Sequence, residues 1–251
     1  MSALNLIVQN IDVILFDING TLRRREPHEP TQTRATQRFL ELLGKSEIPD
    51  SYWDELTSRR KKYNQWAQDH LIQLAEEEIW TRWILPEYPS EQIGPAAAEL
   101  TLAWSERKGH TVPIPGAEPM LVELKRRGYR LGVISNTMSS LDIPRDLVTF
   151  GWNELFEVAI LSSALKYRKP APEPFLEAIR ILKVEAARCA YLGNRISKDI
   201  VGCKRAGFGM GIILEPADGP RADEKDQVVT PEVTVHSLNE LLEIFPMRAS
   251  T

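Results

Sequence analysis

Five short apolar runs punctuate the chain: Val13-Ile14-Leu15-Phe16, Leu131-Gly132-Val133-Ile134, Val158-Ala159-Ile160-Leu161, Cys189-Ala190-Tyr191-Leu192 and Gly211-Ile212-Ile213-Leu214. None alternates apolar with polar residues. A continuous run of this length suits a strand covered on both faces, as in a parallel sheet. Between the runs, apolar positions recur at helical spacing. Glu118 to Arg127 carries Met120, Leu121 and Leu124, with Pro119 near its start and Gly128 as its stop. Pro174 to Leu182 carries Phe175, Leu176, Ile179 and Leu182, and Leu238 to Phe245 carries Leu241, Leu242 and Phe245. Strands alternating with helices predict an α/β fold, a doubly wound, Rossmann-like parallel sheet.

Between Leu22 and Val112 this rhythm breaks. The stretch has few β-rich runs and holds Trp53, Trp66, Trp80, Trp83 and Trp104, five of the six tryptophans. Pro-rich edges flank it, Glu26-Pro27-His28-Glu29-Pro30 and Val112-Pro113-Ile114-Pro115-Gly116. A change of structural type between such edges predicts an inserted helical domain. The expected division is a core of residues 1–22 and 113–251 with a helical cap of residues 23–112. Since the insertion follows the first strand, it should lie above that strand's C-terminal end. The tryptophans are expected as packing between its helices.

Composition narrows the function classes. The 251 residues carry 43% hydrophobic and 26% charged side chains and a net charge of −4, as in a soluble globular protein that is no general polyanion binder. Nucleic acid and membrane are therefore not expected partners. Cys189 and Cys203 lie in apolar surroundings and read as small buried hydrophobes. With no membrane span and no signal-peptide pattern, a cytoplasmic location is the default expectation. His28, His70, His110 and His236 show no ligand spacing.

Candidate chemistry falls at the ends of the expected strands, where open α/β sheets bind ligands. Asp17-Ile18-Asn19-Gly20-Thr21 follows the first run, Ser135-Asn136 ends the second, Lys169-Pro170 lies past the third, and Gly193 to Asp199 follows Tyr191-Leu192. A strand-end carboxylate before a Gly-Thr turn is suited to nucleophilic attack. Thr21 and Ser135 offer hydroxyl donors and Asn136 an amide donor, while Lys169 supplies positive charge beside Asp17. Ser197 is expected to cap a helix from Lys198 to Ala206, with Asp199 in its first turn. Lys166 and Lys198 read as surface charges. Arg23-Arg24-Arg25 reads as a solvated charged loop, with a flap meeting an anionic substrate as the alternative, so Arg23 joins Thr21, Ser135 and Asn136 as a substrate-binding candidate.

These segments, "FDINGTL", "GVISNT", "KPAPEPF" and "YLGNRISKDIVGCKRAG", occur in the order found in the haloacid dehalogenase superfamily, which the whole chain resembles. Most members are phosphatases, and the insertion is similar to the helical cap of one large branch. The resemblance implies Asp17 as nucleophile, a small phosphorylated molecule as substrate, and Asp199 near metal-bound water. Two positions depart from the pattern. Asn19 stands where the general acid/base would be, and Asn194 where a direct Mg²⁺ ligand would be. An amide cannot take and return a proton at neutral pH, and such catalysis contributes about 10² to 10⁴-fold. A Mg²⁺ site built on Asp17, Asn19, Asn194 and Asp199 has lost charge, and Mg²⁺ prefers charged oxygens. The expectation is a hydrolase of small phosphoesters acting through an aspartyl phosphate, with weakened activity and weak Mg²⁺ dependence. Two alternatives stay open: a silent relative that binds a phosphorylated metabolite or a protein partner, and a metal-independent dehalogenase. Oligomeric state is not read from the sequence.

Overall fold

The computed structural model describes residues 3–215 and 228–248. The chain opens with α1 (Ala3–Gln9), β1 (Val13–Phe16) and β2 (Arg23–Glu26). The helices α2 (Glu29–Leu42), α3 (Asp50–His70), α4 (Glu76–Glu78, running on into a π-helical turn Ile79–Ile84) and α5 (Ser90–Glu106) follow. Next come β3 (His110–Pro113), α6 (Ala117–Arg126), β4 (Arg130–Ser135), α7 (Asp142–Thr149), β5 (Val158–Leu161), α8 (Ser162–Leu165) and α9 (Glu173–Leu182). The last elements are β6 (Cys189–Gly193), a π-helical turn Ile196–Ile200 leading into α10 (Val201–Arg205), β7 (Met210–Leu214), β8 (Val233–Val235) and α11 (Leu241–Ile244).

Six strands form one parallel sheet in the order β5-β4-β1-β6-β7-β8. The five apolar runs became five of its strands because both faces are covered. Along β1, Ile14 and Phe16 pack into one buried cluster with Met120, Leu121 and Leu124 of α6. Val13 and Leu15 point the other way, into a cluster with Phe175, Ala178 and Leu182 of α9. The period of two is thus present in the packing while hidden in the sequence. β1 lies between β4 and β6, where the winding reverses, so the crevice at its C-terminal end is the place for a ligand.

The helical insertion has a core of its own. Phe39, Leu56, Tyr63, Ile79, Trp80, Leu100 and Trp104 form a third buried cluster, against which Trp53, Trp66 and Trp83 pack. Trp80 is fully buried and donates its indole N–H to Thr101 Oγ1 at 2.7 Å, so its polar tip is satisfied. Met138, from the loop after β4, belongs to the same cluster and ties the insertion to the C-terminal edge of the sheet. A second tie reaches the loop after β5: Gln73 N–H donates to Lys166 O at 2.6 Å and Arg168 N–H to Leu71 O at 3.0 Å.

Several local expectations needed revision. Arg23-Arg24-Arg25 is a strand, not a loop: β2 pairs antiparallel with β3, Arg23 opposite Pro113 and Glu26 opposite His110. Its polar sequence hid this, because the ribbon joins the two ends of the insertion and is not part of the core sheet. Ser197 does not cap a helix. The helical segment starts at Ile196, with Arg195 in extended conformation before it, because Asp199 turns back onto the loop. Lys198 is half-buried, while Lys166 is exposed.

Candidate active site

Asp17 follows β1 directly, and its N–H donates to Leu192 O of β6 at 2.8 Å, continuing the ladder by one residue. The chain then turns sharply. Gly20 has φ of +82°, a conformation that costs a residue with a Cβ, and Leu22 N–H closes the turn onto Ile18 O at 3.0 Å. This turn places Thr21, fully buried, beneath the carboxylate, with Thr21 Oγ1 at 3.5 Å from Asp17 Oδ2.

Lys169 is the hub. Its buried ammonium donates to Asp17 Oδ1 at 2.8 Å, Asp199 Oδ1 at 2.7 Å and Tyr191 Oη at 2.7 Å, with Ile134 O also within reach at 3.0 Å. Burial works against its charge, but the Asp17 and Asp199 carboxylates outweigh that and raise its pKa. Asp199 is itself pushed up, first by burial, with Asp17 adding repulsion and Lys169 opposing. Its other oxygen, Oδ2, accepts the backbone N–H groups of Asn194 and Arg195, each at 3.0 Å. A Cβ on Gly193 would meet Asp199 Cγ at 2.3 Å, so only glycine lets this carboxylate fold back. Asn136 positions Lys169 through its backbone: Nδ2 donates to Lys169 O and Oδ1 accepts Lys169 N–H, both at 2.9 Å. Ser135 Oγ lies 3.3 Å from Asp17 Oδ1.

The structure therefore gathers Asp17, Thr21, Ser135, Asn136, Lys169 and Asp199 into one cluster. Tyr191 was missed. It sits in an apolar run and reads as core, yet its hydroxyl donates to Ile134 O at 2.8 Å while accepting from Lys169. A phenol inside an otherwise aliphatic strand was the available signal, since a buried hydroxyl needs a partner.

Asn19 and Asn194 lie at the rim. Asn19 is exposed, and its Oδ1 accepts from Arg23 Nε at 3.1 Å. Asn194 Nδ2 donates to the backbone carbonyl of Asn19 at 3.4 Å. Arg23 is 3% exposed, and its remaining donors are engaged: Nη2 with Asp142 Oδ2 at 3.1 Å and Nη1 with the Asp146 carboxylate. Arg25 also binds Asp142, at 2.7 Å. The guanidinium that stood as a substrate-binding candidate braces β2 against α7 and Asn19.

Above these residues opens a cleft of about 410 Å³ between insertion and core. Asn19, Gly20 and Asn136 line its core side, and Arg60, Lys108 and Arg168 are among the cations on its walls. Arg60 and Lys108 also line an adjoining space of about 300 Å³ with Trp104 and Arg107.

The protein-family model described as haloacid dehalogenase-like hydrolase matches residues 11–207, spanning every strand-end segment named above. The chain belongs to the haloacid dehalogenase-like hydrolases. Among curated relatives it is 26% identical to a glyceraldehyde 3-phosphate phosphatase of Methanopyrus kandleri, over 79% of this chain and 82% of that one. It is 25% identical to a phosphoglycolate phosphatase of Nitrosococcus oceani, over 95% of this chain and 98% of the other. A 2-haloacid dehalogenase from Pseudomonas syringae pv. Tomato shares the fold, with a TM-score of 0.67 and 24% identity over 93% of this chain and 97% of that structure. No helix among the described residues is long and apolar enough to cross a membrane.

Proposed function

We propose that this member of the family cleaves small phosphoesters by attack of Asp17 on phosphorus, without help from a proton donor at position 19. The observation that carries the reading is the division of labour on Asp17. Its Oδ1 is engaged by Lys169 and Ser135, while Oδ2 has, among the described residues, only the Thr21 hydroxyl at 3.5 Å and is the oxygen left to react. The P–O bond to the leaving group breaks as the Asp17–phosphorus bond forms, and the leaving oxygen departs with the electron pair. Water then attacks the aspartyl phosphate and restores the carboxylate. Lys169 offsets the negative charge at the Asp17–Asp199 pair throughout. The basic lining of the cleft suits a phosphate dianion better than the apolar carbon–halogen end of a haloacid, which favours phosphoester over dehalogenase chemistry.

Mg²⁺ is a poor fit to the donors present. It takes hard, mostly charged oxygens. Both carboxylates here share one ammonium, the Asn19 side-chain oxygen faces a guanidinium, and the Asn194 amide turns its NH₂ to the Asn19 carbonyl. Among the described residues no group of three His, Cys, Asp or Glu is arranged for a metal ion. No step is assigned to a metal.

The bond from Arg23 to Asn19 favours a second reading, a silent binder of phosphorylated molecules. p-Nitrophenyl phosphate, whose leaving group needs little protonation, separates the two. Turnover by the wild type that persists in chelator and falls to background in Asp17→Asn supports the enzyme. Turnover seen only in the Asn19→Asp/Asn194→Asp double variant, and only with Mg²⁺, supports the binder.

A further inference from the structure

We propose that Arg60, Arg107 and Lys108 of the insertion form a second anion subsite, so that the molecule bound between insertion and core carries two anionic groups, a phosphoryl group at Asp17 and a phosphate or carboxylate at the far end. This deepens the phosphoester reading and rests on it. The argument is one of missing counter-ions. Three other arginines of the insertion have carboxylate partners: Arg38 with Glu99, Arg59 with Glu55 and Glu87, Arg82 with Glu78. In the cleft itself, Arg23 and Arg25 are paired with Asp142 and Asp146. Arg60, Arg107 and Lys108 are different.

Arg60 lines both adjoining spaces, and its Nε is buried with no hydrogen-bond partner. A buried, unmatched donor of a charged group costs more than an ordinary lost hydrogen bond. The Arg107 guanidinium carbon lies over the Trp53 ring, 3.2 Å from its centroid, and 5.3 Å from that of Trp104. Arg60 flanks the same Trp104 ring at 5.8 Å. Aromatic faces hold these cations in place without neutralising them. Burial pushes Arg60 and Arg107 down to about 10, and no carboxylate among the described residues counters it. The Lys108 side chain reaches solvent, yet the part of it that faces the cleft is desolvated, and this lowers its pKa, with Arg60 and Arg25, two like charges, lowering it further. Three cations gathered against their mutual repulsion, in a chain of net charge −4, make a site that an anion would complete. Asn64 lines both spaces beside them, and Asn19, Gly20 and Asn136 line the core side of the same cleft, so one ligand can touch both ends.

A matched ligand series tests this by calorimetry on the full chain: the monophosphates of 1,3-propanediol and 1,6-hexanediol, their bisphosphates, and the phosphate esters of 3-hydroxypropionate and 6-hydroxyhexanoate. Asp17→Asn serves as host so that nothing is turned over. The expected result is that a ligand with an anionic group at each end binds on the order of tenfold or more tighter than its monophosphate. Whether the bisphosphate or the carboxylate ester leads identifies the distal group. Arg60→Gln and, independently, the exposed Lys108→Gln should each reduce that ratio towards one, whereas Arg82→Gln, outside the cleft, should keep it. Equal binding of ligands with one and with two anionic groups, the monophosphates still being bound, overturns the second subsite and leaves the phosphoester reading standing. No binding by any ligand overturns both.

Discussion

Under the proposed phosphoester reading, the side chain at position 19 sets which half of the reaction is helped. Asn19 accepts a hydrogen bond from Arg23 Nε, so a carboxylate placed there would receive a charge-assisted bond. Such a bond favours the ionised form. Asn19→Asp should therefore act as a base toward the water that opens the aspartyl phosphate, and poorly as an acid toward the leaving group. The wild type is expected to release p-nitrophenol in a burst and then slow. The variant should lose the burst as its steady rate rises by about a hundredfold, while hydrolysis of alkyl phosphates gains far less. Stopped-flow release of p-nitrophenol beside a phosphate assay on an alkyl ester reads both quantities. An equal gain for aryl and alkyl esters would show that Arg23 does not hold the carboxylate ionised. The clustering of Asp17, Thr21, Ser135, Lys169 and Asp199 was legible in the sequence because each lies at or beyond the C-terminal end of a strand, in a recognisable order. Arg23 was not, because its partners Asp142 and Asp146 are more than a hundred positions away and no local pattern announces a buried guanidinium.

At the level of elements, the ribbon β2–β3 is fastened to α7 by charge. Asp142 is buried and receives Arg23 Nη2 at 3.1 Å, Arg25 Nη2 at 2.7 Å and, from α5, Ser105 Oγ at 3.4 Å. Removing one partner of a buried pair leaves the other charge uncompensated, so Asp142→Ala should lower stability by about 3 kcal/mol, measured by urea unfolding at neutral pH. Burial works to raise the Asp142 pKa, but Arg23 and Arg25 outweigh it and hold it below the ordinary aspartate value. A depressed carboxylate contributes stability above its unfolded pKa of about 3.9 and loses it as pH falls through the lower folded value. The gap between wild type and variant should thus be constant from pH 7 to about 5 and close below about 4; a gap that persists to lower pH would place the stabilisation in packing instead. The strands of the sheet were readable because burial on both faces produces unbroken apolar runs. The edge strand β8 was not, since Val233-Thr234-Val235 is short and half-covered, and the polar ribbon β2–β3 carries no hydrophobic pattern to read.

On the scale of the whole molecule, charge is distributed against the average. The chain has a net charge of −4, yet Arg60, Arg107, Lys108 and Arg168 line the cleft and the space adjoining it. Fields from unpaired cations in a low-dielectric crevice draw anions in and raise encounter rates, and salt removes that advantage. The screening length falls from about 30 Å at 0.01 M to about 10 Å at 0.1 M ionic strength, which spans the dimensions of such a cleft. kcat/KM for p-nitrophenyl phosphate should accordingly fall several-fold over that range, with kcat nearly constant because a saturated site no longer depends on capture. The distinction matters because the insertion is also bonded to the loop that carries Lys169, through Gln73 to Lys166 and Leu71 to Arg168. If salt instead loosened the insertion from the core, Lys169 would shift relative to Asp17 and kcat would fall with kcat/KM. A drop confined to kcat/KM assigns the effect to the field of the cleft; a parallel drop in both assigns it to the joint between the two parts of the fold.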